Sequence, residues 1–421
     1  MSILLKSVTI VCPGSPLNGK TRDLLIERGK LKEIGTRITD SKARVIQEKG
    51  LCVSPGWFDT CAFLGDPGFE HKENLHSGLD AAAHGGFTAL MTMPLTKPVA
   101  DSKSGIEYVL NRSANHVVNV VPSGTLSEGA EGRQLAELLD MRDAGARTFT
   151  DYKRPVNTPE LMSRALEYAR NFDGIISVFP HDNMLGPGGV WHEGQTSVSH
   201  GVKGIPSLAE EMRLQRDIEL LRYQNSSMHV LMISTAASVE LVRKAKKDGL
   251  NLTCGVAAHN LFFNDSDING FDTDRKVLPP FRSKADVKAL IKGLKDGTID
   301  MICSDHTPQD VESKRCEFEH AEFGVSNLET AFAAAITATG NNLSLDEIIA
   351  CFATNPRKRF GLSTPLFEEG EHVDYTVFNP ETTTTIDRNA LVSKGKNTPF
   401  HGKELKGSVR AVFCGMRQME F

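Results

Sequence analysis

The chain has no uninterrupted apolar stretch that reaches the roughly 18 residues a membrane-spanning helix needs. Residues 1–13 hold no basic region leading into a long apolar run, so no secretion signal is expected there. No pair of the eight cysteines (Cys12, Cys52, Cys61, Cys254, Cys303, Cys316, Cys351 and Cys414) has Cys-x-x-Cys spacing. In a long chain without a leader, that scatter reads as reduced thiols in a cytoplasm. Charge of either sign is not in excess. Lys and Arg number 48 against 53 Asp and Glu, a formal −5, which leaves no electrostatic footprint for nucleic acid or an anionic membrane. Basic clusters such as Arg357-Lys358-Arg359 are short and read as solvated charge at helix ends. Internal repeats and low-complexity tracts are lacking, and residues 382–385 are too short a threonine run to count. No Gly-x-Gly-x-x-Gly follows the first strand and there is no P-loop, which weighs against an open doubly wound sheet, the second-ranked fold.

What is present is ordinary in bulk, with 40% hydrophobic and 24% charged residues. A length of 421 exceeds the usual single domain and suits one large unit with a smaller one. Residues 2–11 are β-rich, and residues 23–27 and 30–34 form a hairpin pattern around Arg28-Gly29. Residues 374–379 and 408–414 are similar short strands near the other end. Between these ends, short apolar runs at residues 89–93, 174–179, 229–233 and 299–303 are followed by polar turns or helix-period segments. Ser234 is the expected N-cap of a helix over residues 236–248, with Gly249 as its stop. Ser207 with Glu210, and Ser344 with Glu347, have capping-box spacing. The helix that Ser344 opens is expected to end near Asn355-Pro356. Strand-then-helix units repeated over some 300 residues predict a closed (β/α)8 TIM barrel, whose working residues sit just past the C-terminal strand ends. His181, Asp305 and His306 fall at such ends.

Nine segments then carry a resemblance. They are Pro55-Gly56-Trp57-Phe58-Asp59, Asp66-Pro67-Gly68, Gly85-Gly86-Phe87-Thr88, Met93-Pro94, Gly204-Ile205-Pro206-Ser207-Leu208-Ala209-Glu210, Pro279-Pro280-Phe281-Arg282, Ser304-Asp305-His306-Thr307-Pro308, Asn355-Pro356 and Ser393-Lys394-Gly395-Lys396-Asn397-Thr398-Pro399-Phe400. In this order, across nearly the whole chain, they resemble the dihydroorotase family of the cyclic amidohydrolase superfamily. The resemblance implies an α/β fold: a metal-dependent-hydrolase barrel at residues 55–365, and a small β-sandwich domain that residues 1–54 and 366–421 build together. Active members interconvert L-dihydroorotate and N-carbamoyl-L-aspartate. A metal pair there lowers the pKa of a bound water from about 15.7 toward about 7.

By the same resemblance, many side chains of that site have changed. The family's His-x-His-x-Arg is represented by Cys61, Phe63 and Gly65, which removes two metal histidines and a carboxylate-holding arginine. Leu95 stands for a substrate asparagine, Met232 for a metal histidine, Leu278 for an asparagine and Gln309 for a substrate histidine. His181, Asp305, Asp151 and Cys61 are the residual metal candidates. Tyr152 replaces one of two adjacent aspartates, leaving open which position would bridge. Each survivor also has a bland reading. His181 suits a satisfied core position, Asp305 suits a helix cap or a bond to His306, and Cys61 suits a small buried hydrophobe. His259 reads as structural, and His71, His76 and His192 as loop or surface histidines. Disturbing a group one step removed from a metal already costs about 10–100-fold. The expectation is therefore a non-catalytic homologue with a vestigial Asp305 and no cofactor, acting as a scaffold or subunit. Its expected partners are a second copy of itself, aspartate transcarbamoylase or an active dihydroorotase. The alternative is a working cyclic amidohydrolase with one zinc ion.

Overall fold

The computed structural model describes residues 2–268 and 270–421. Eight parallel strands follow one another around a barrel: Trp57–Ala62, Phe87–Thr92, Asn119–Gly124, Thr148–Phe149, Ile176–Val178, Met228–Val230, Leu252–Ala257 and Met301–Cys303. Most of their residues are buried, as expected of a parallel sheet wrapped by helices. The last strand returns to the first. Ala62 and His306 form a parallel bridge, and the Phe63 amide donates to the His306 carbonyl at 2.8 Å. Inside this seam, buried Asp59 accepts from both the amide (2.7 Å) and the hydroxyl (2.6 Å) of Ser304.

Helices cover the outside, among them Leu75–His84, Lys103–Arg112, Pro159–Arg170, Leu208–Gln224, Ala236–Lys247 and Lys284–Lys295. A second, mixed sheet of eight strands draws on both ends of the chain. Ser2–Ile10, Thr21–Glu27, Lys30–Gly35, Arg44–Ile46 and Cys52–Pro55 join Asp374–Thr385, Glu404–Cys414 and Arg417–Glu420. The anticipated hairpin is there, with Glu27 opposite Lys30. Cys52–Pro55 pairs antiparallel with Asp374–Thr385, so residues distant in sequence share one ladder. Trp57 packs at this junction against Phe87, Phe332, Phe352 and Phe378.

Several local expectations are corrected. Arg357 is not a solvated helix-end charge. It is buried and donates to the Gly56 carbonyl (2.7 Å), Thr88 (3.0 Å) and the Asp374 carboxylate (2.7 Å), tying barrel to sheet. Arg359 is half-buried, and burial pushes its guanidinium down to about 10. Ser344 and Glu347 do form a capping box. Ser207 accepts no cap bond, because Glu210 turns inward to the Ser234 and Thr235 amides instead. With Ser234 so engaged, Thr235 caps Ala236–Lys247 by accepting from the Ser238 amide. The helix opened by Ser344 does not stop at Asn355-Pro356. Leu345–Ile349 passes through a π-helical turn, Ala350–Thr354, into Asn355–Arg359. The wider turn lies just ahead of Pro356, which has no N–H to offer a tighter one.

Candidate active site

The mouth of the barrel is formed by residues just past the strand ends, and it is largely apolar. Cys61, Phe63, Met93, Tyr152, Phe179 and Met232 belong to one buried hydrophobic cluster, with Leu95, Leu278 and Phe69 packed against it. Five of the seven positions at which the family's polar side chains are replaced thus fill the mouth. Phe63 packs on Phe69 with ring centres 6.0 Å apart. Gly65 has a left-handed φ of 69°, and a Cβ there would lie 2.7 Å from the Glu73 carbonyl oxygen and 2.8 Å from that of Phe69. The loop has closed on a position that could carry an arginine only if the backbone moved. Gln309 is also engaged. Its amide nitrogen donates to the Phe323 carbonyl (2.8 Å), and its oxygen accepts from Lys72 (2.7 Å).

Asp305 lies at the centre of what polarity remains. It is buried, with a left-handed φ of 47°, beyond the end of the last strand. The Lys153 ammonium lies 2.9 Å from one of its oxygens and 2.8 Å from the other. The Tyr152 hydroxyl donates to it at 3.1 Å, and the Cys61 thiol lies 3.9 Å away. Burial pushes the Asp305 carboxyl up, and Lys153 is the strongest influence opposing that rise. Burial also holds the Cys61 thiol well above its ordinary value, so it stays protonated. His259 faces Asp305 at 3.9 Å through Nε2, a buried nitrogen with no hydrogen-bond partner. Burial lowers this histidine to about 3, leaving a neutral ring that lends Asp305 no charge. Asp305 therefore pairs with Lys153 rather than capping a helix.

The other candidates lie apart from this group. Asp151 accepts from the amides of Leu126 (2.9 Å) and Ser127 (3.0 Å) and from the Ser127 hydroxyl, which orients it toward a neighbouring loop. His181 is half-buried beside a different charge cluster, in which Arg282 approaches Glu210 at 3.6 Å. Burial and Arg282 both lower its pKa. His192 accepts from Arg282 at 3.2 Å, while His71 and His76 are exposed. Lys153 was not singled out in the sequence. The available signal was a lysine directly after Asp151-Tyr152, at the end of the fourth barrel strand.

The comparisons bear on identity. Residues 50–238 match the family model described as Dihydro-orotase-like. A dihydroorotase from Acetivibrio thermocellus is 41% identical over 410 residues, 97% of this chain and 96% of its own length. Another from Syntrophus aciditrophicus is 39% identical over 413 residues, 97% of each. Among solved structures, the L-hydantoinase (dihydropyrimidinase) from Arthrobacter aurescens superposes with a TM-score of 0.85. At 21% identity it covers 99% of this chain and 96% of its own, a likeness of fold.

These relatives overturn one expectation. The family works with divalent metal, so the expectation of no cofactor is corrected, and the zinc ion held as the alternative is the one that suits such relatives. The side chains as placed do not fit a metal pair. Among the described residues, no three His, Cys, Asp or Glu side chains gather in a way that would hold an ion, and Lys153 lies against both oxygens of Asp305. No hydrolytic step is assigned to a metal on this arrangement. With both termini in one β-domain, a closed eight-stranded barrel and full-length relatives near 40% identity, the chain belongs to the dihydroorotase family of the cyclic amidohydrolases.

Proposed function

We propose that this chain serves pyrimidine biosynthesis as a dihydroorotase homologue whose mouth, as folded, does not turn over dihydroorotate. Its contribution would then be that of a cytoplasmic scaffold or subunit. The contact between Lys153 and Asp305 carries this reading. In the family the matching aspartate binds metal and accepts a proton, and here both its oxygens are engaged by an ammonium. The proposed partners are a second copy of the chain, aspartate transcarbamoylase or an active dihydroorotase. They rest on family analogy alone.

The relatives favour a second reading. Their curated name, at 41% and 39% identity over 97% of this chain, speaks for a working metal-dependent cyclic amidohydrolase acting on L-dihydroorotate or a related cyclic amide. That requires Lys153 to leave Asp305 so that Cys61 and Asp305 can turn to a zinc ion. One assay separates the two. Dihydroorotate hydrolysis is followed by ultraviolet absorbance on the purified chain, with and without added zinc, alongside metal analysis. No turnover above buffer in either condition is the expected result. Turnover with stoichiometric zinc, both abolished by Asp305→Asn, would establish the hydrolase instead.

A further inference from the structure

We infer that the outer face of the helix Leu208–Gln224 docks a second copy of this chain, the two helices meeting antiparallel about a two-fold axis at Gln215. The second copy proposed above as a partner, on which this rests, thereby acquires a face. The helix buries one side against the barrel through Ala209, Leu214, Ile218 and Leu221. Its other side would be polar if it only met water. Instead Leu208 (50% exposed), Met212 (52%) and Tyr223 (81%) stand out along it. Leu208, Met212, Gln215 and Glu219 are spaced four, three and four residues apart, the spacing of a seam between two packed helices. Two further exposed apolar side chains extend the patch. Met184 sits on a loop whose Asp182 amide donates to the Ala209 carbonyl at 2.9 Å. Tyr168 is carried by Pro159–Arg170, which lies alongside and is joined through Gln224 to Ser163 at 2.7 Å. Apolar side chains grouped in this way mark an interaction surface, where singly scattered ones do not.

Charge decides what covers the patch. The first turn of the helix is acidic, with Glu210 and Glu211, and its last turn carries Arg222. Glu210 is buried, whereas the Glu211 carboxylate is half-buried and has no hydrogen bond or ion pair among the described residues. Glu211 and Arg222 are eleven residues, three helical turns, apart and so lie on the same edge of the helix. A two-fold axis crossing the seam at Gln215 turns the helix end for end and keeps each edge on its own side. Glu211 of one copy then comes beside the partner's Arg222, twice in the dimer. Arg222 also meets Glu219 at 3.4 Å and Asp248 at 3.0 Å, and Lys244 and Lys247, exposed on the adjoining helix Ala236–Lys247, keep that end basic. The same axis brings Leu208 to the partner's Tyr223 and sets the two helix dipoles against each other. A parallel arrangement would instead place Glu211 against Glu211 and Arg222 against Arg222. A surface that complements itself when turned over is what an interface between identical chains requires.

Sedimentation equilibrium of the full chain reads mass and is independent of turnover. The mass of two chains is expected, with a dissociation constant of about 1 µM or below. Met212→Glu sets a carboxylate against the partner's Glu219 and should raise that constant at least about tenfold, while an unchanged melting temperature shows that the chain still folds. Cross-linking with a short bis-maleimide reads the direction of pairing. Gln215→Cys lies on the axis and should be joined to its copy. Leu208→Cys, seven residues from the axis, lies about 20 Å from its copy in an antiparallel pair and should not be. The parent chain, whose cysteines other than Cys316 are buried, is the control. A chain that stays monomeric at about 50 µM would overturn the inference. So would a dimer that Met212→Glu leaves intact, or one in which Leu208→Cys links and Gln215→Cys does not.

Discussion

Asp305 holds a carboxylate in the barrel mouth at 1% exposure, and the Lys153 ammonium at about 2.8 Å is its countercharge. Breaking a buried pair by removing one partner typically costs about 3–5 kcal/mol, because the other charge is left without compensation. Lys153→Met is therefore expected to lower unfolding free energy by roughly 3 kcal/mol. Urea denaturation monitored by circular dichroism reads this directly, and a loss under about 1 kcal/mol would mean the pair does not hold the mouth together. Cys61, Phe63, Gly65 and Met232 were legible at this scale because their side chains cannot do what the family's do. Lys153 was not, since nothing in the order Asp151-Tyr152-Lys153 says which of three neighbours faces inward. Tyr152 decides it by adopting a left-handed φ of 49°, a backbone choice that side-chain periodicity does not encode.

Among the elements, strands and helices followed their hydrophobic periods, and the Ser344 capping box formed as its spacing required. The errors came where a long polar side chain had somewhere better to go. Glu210 left Ser207 for the Ser234 and Thr235 amides, and Arg357 left solvent for Asp374. Such choices depend on partners far away in sequence, so local spacing could not announce them. Arg357 joins the helical run ending at Arg359 to the Gly56 carbonyl and to a strand of the second sheet. Arg357→Met keeps the aliphatic stem but strands Asp374 and three other oxygen acceptors, those of Gly56, Ser363 and Thr88. A loss of about 3 kcal/mol is expected, with proteolysis appearing first in the second sheet. Limited trypsin digestion checks it: unchanged cleavage in that sheet would remove Arg357 as the tie.

For the whole molecule, burial of ionisable groups sets how the fold responds to acid. His229 and His259 are fully buried, and both are pushed down to about 3. Between the ordinary histidine value near 6.5 and about 3, the unfolded chain binds protons that the folded chain refuses. Stability from these two rings is complete above about pH 6.5 and is lost as pH falls, by about 1.4 kcal/mol per pH unit for each. Asp59, lifted to about 7 by burial, acts in the opposite sense, keeping its proton in the native chain and offsetting part of that loss. His229→Asn should gain about 1.4 kcal/mol per pH unit relative to the parent between roughly pH 6 and 4. A pH-independent difference in denaturation midpoints would refute a neutral His229. The barrel and the shared terminal sheet were legible because a strand–helix rhythm and paired β-rich ends survive any repacking of side chains. The contents of the mouth were legible only as losses.

The pairing of Cys52–Pro55 with Asp374–Thr385 sets a timetable for the nascent chain. The early strand leaves the ribosome while its partner is more than three hundred codons from being translated. At about 5–20 residues per second, that edge waits on the order of half a minute. The (β/α)8 body is synthesised in the interval, and only the final fifty residues can close the sheet that flanks it.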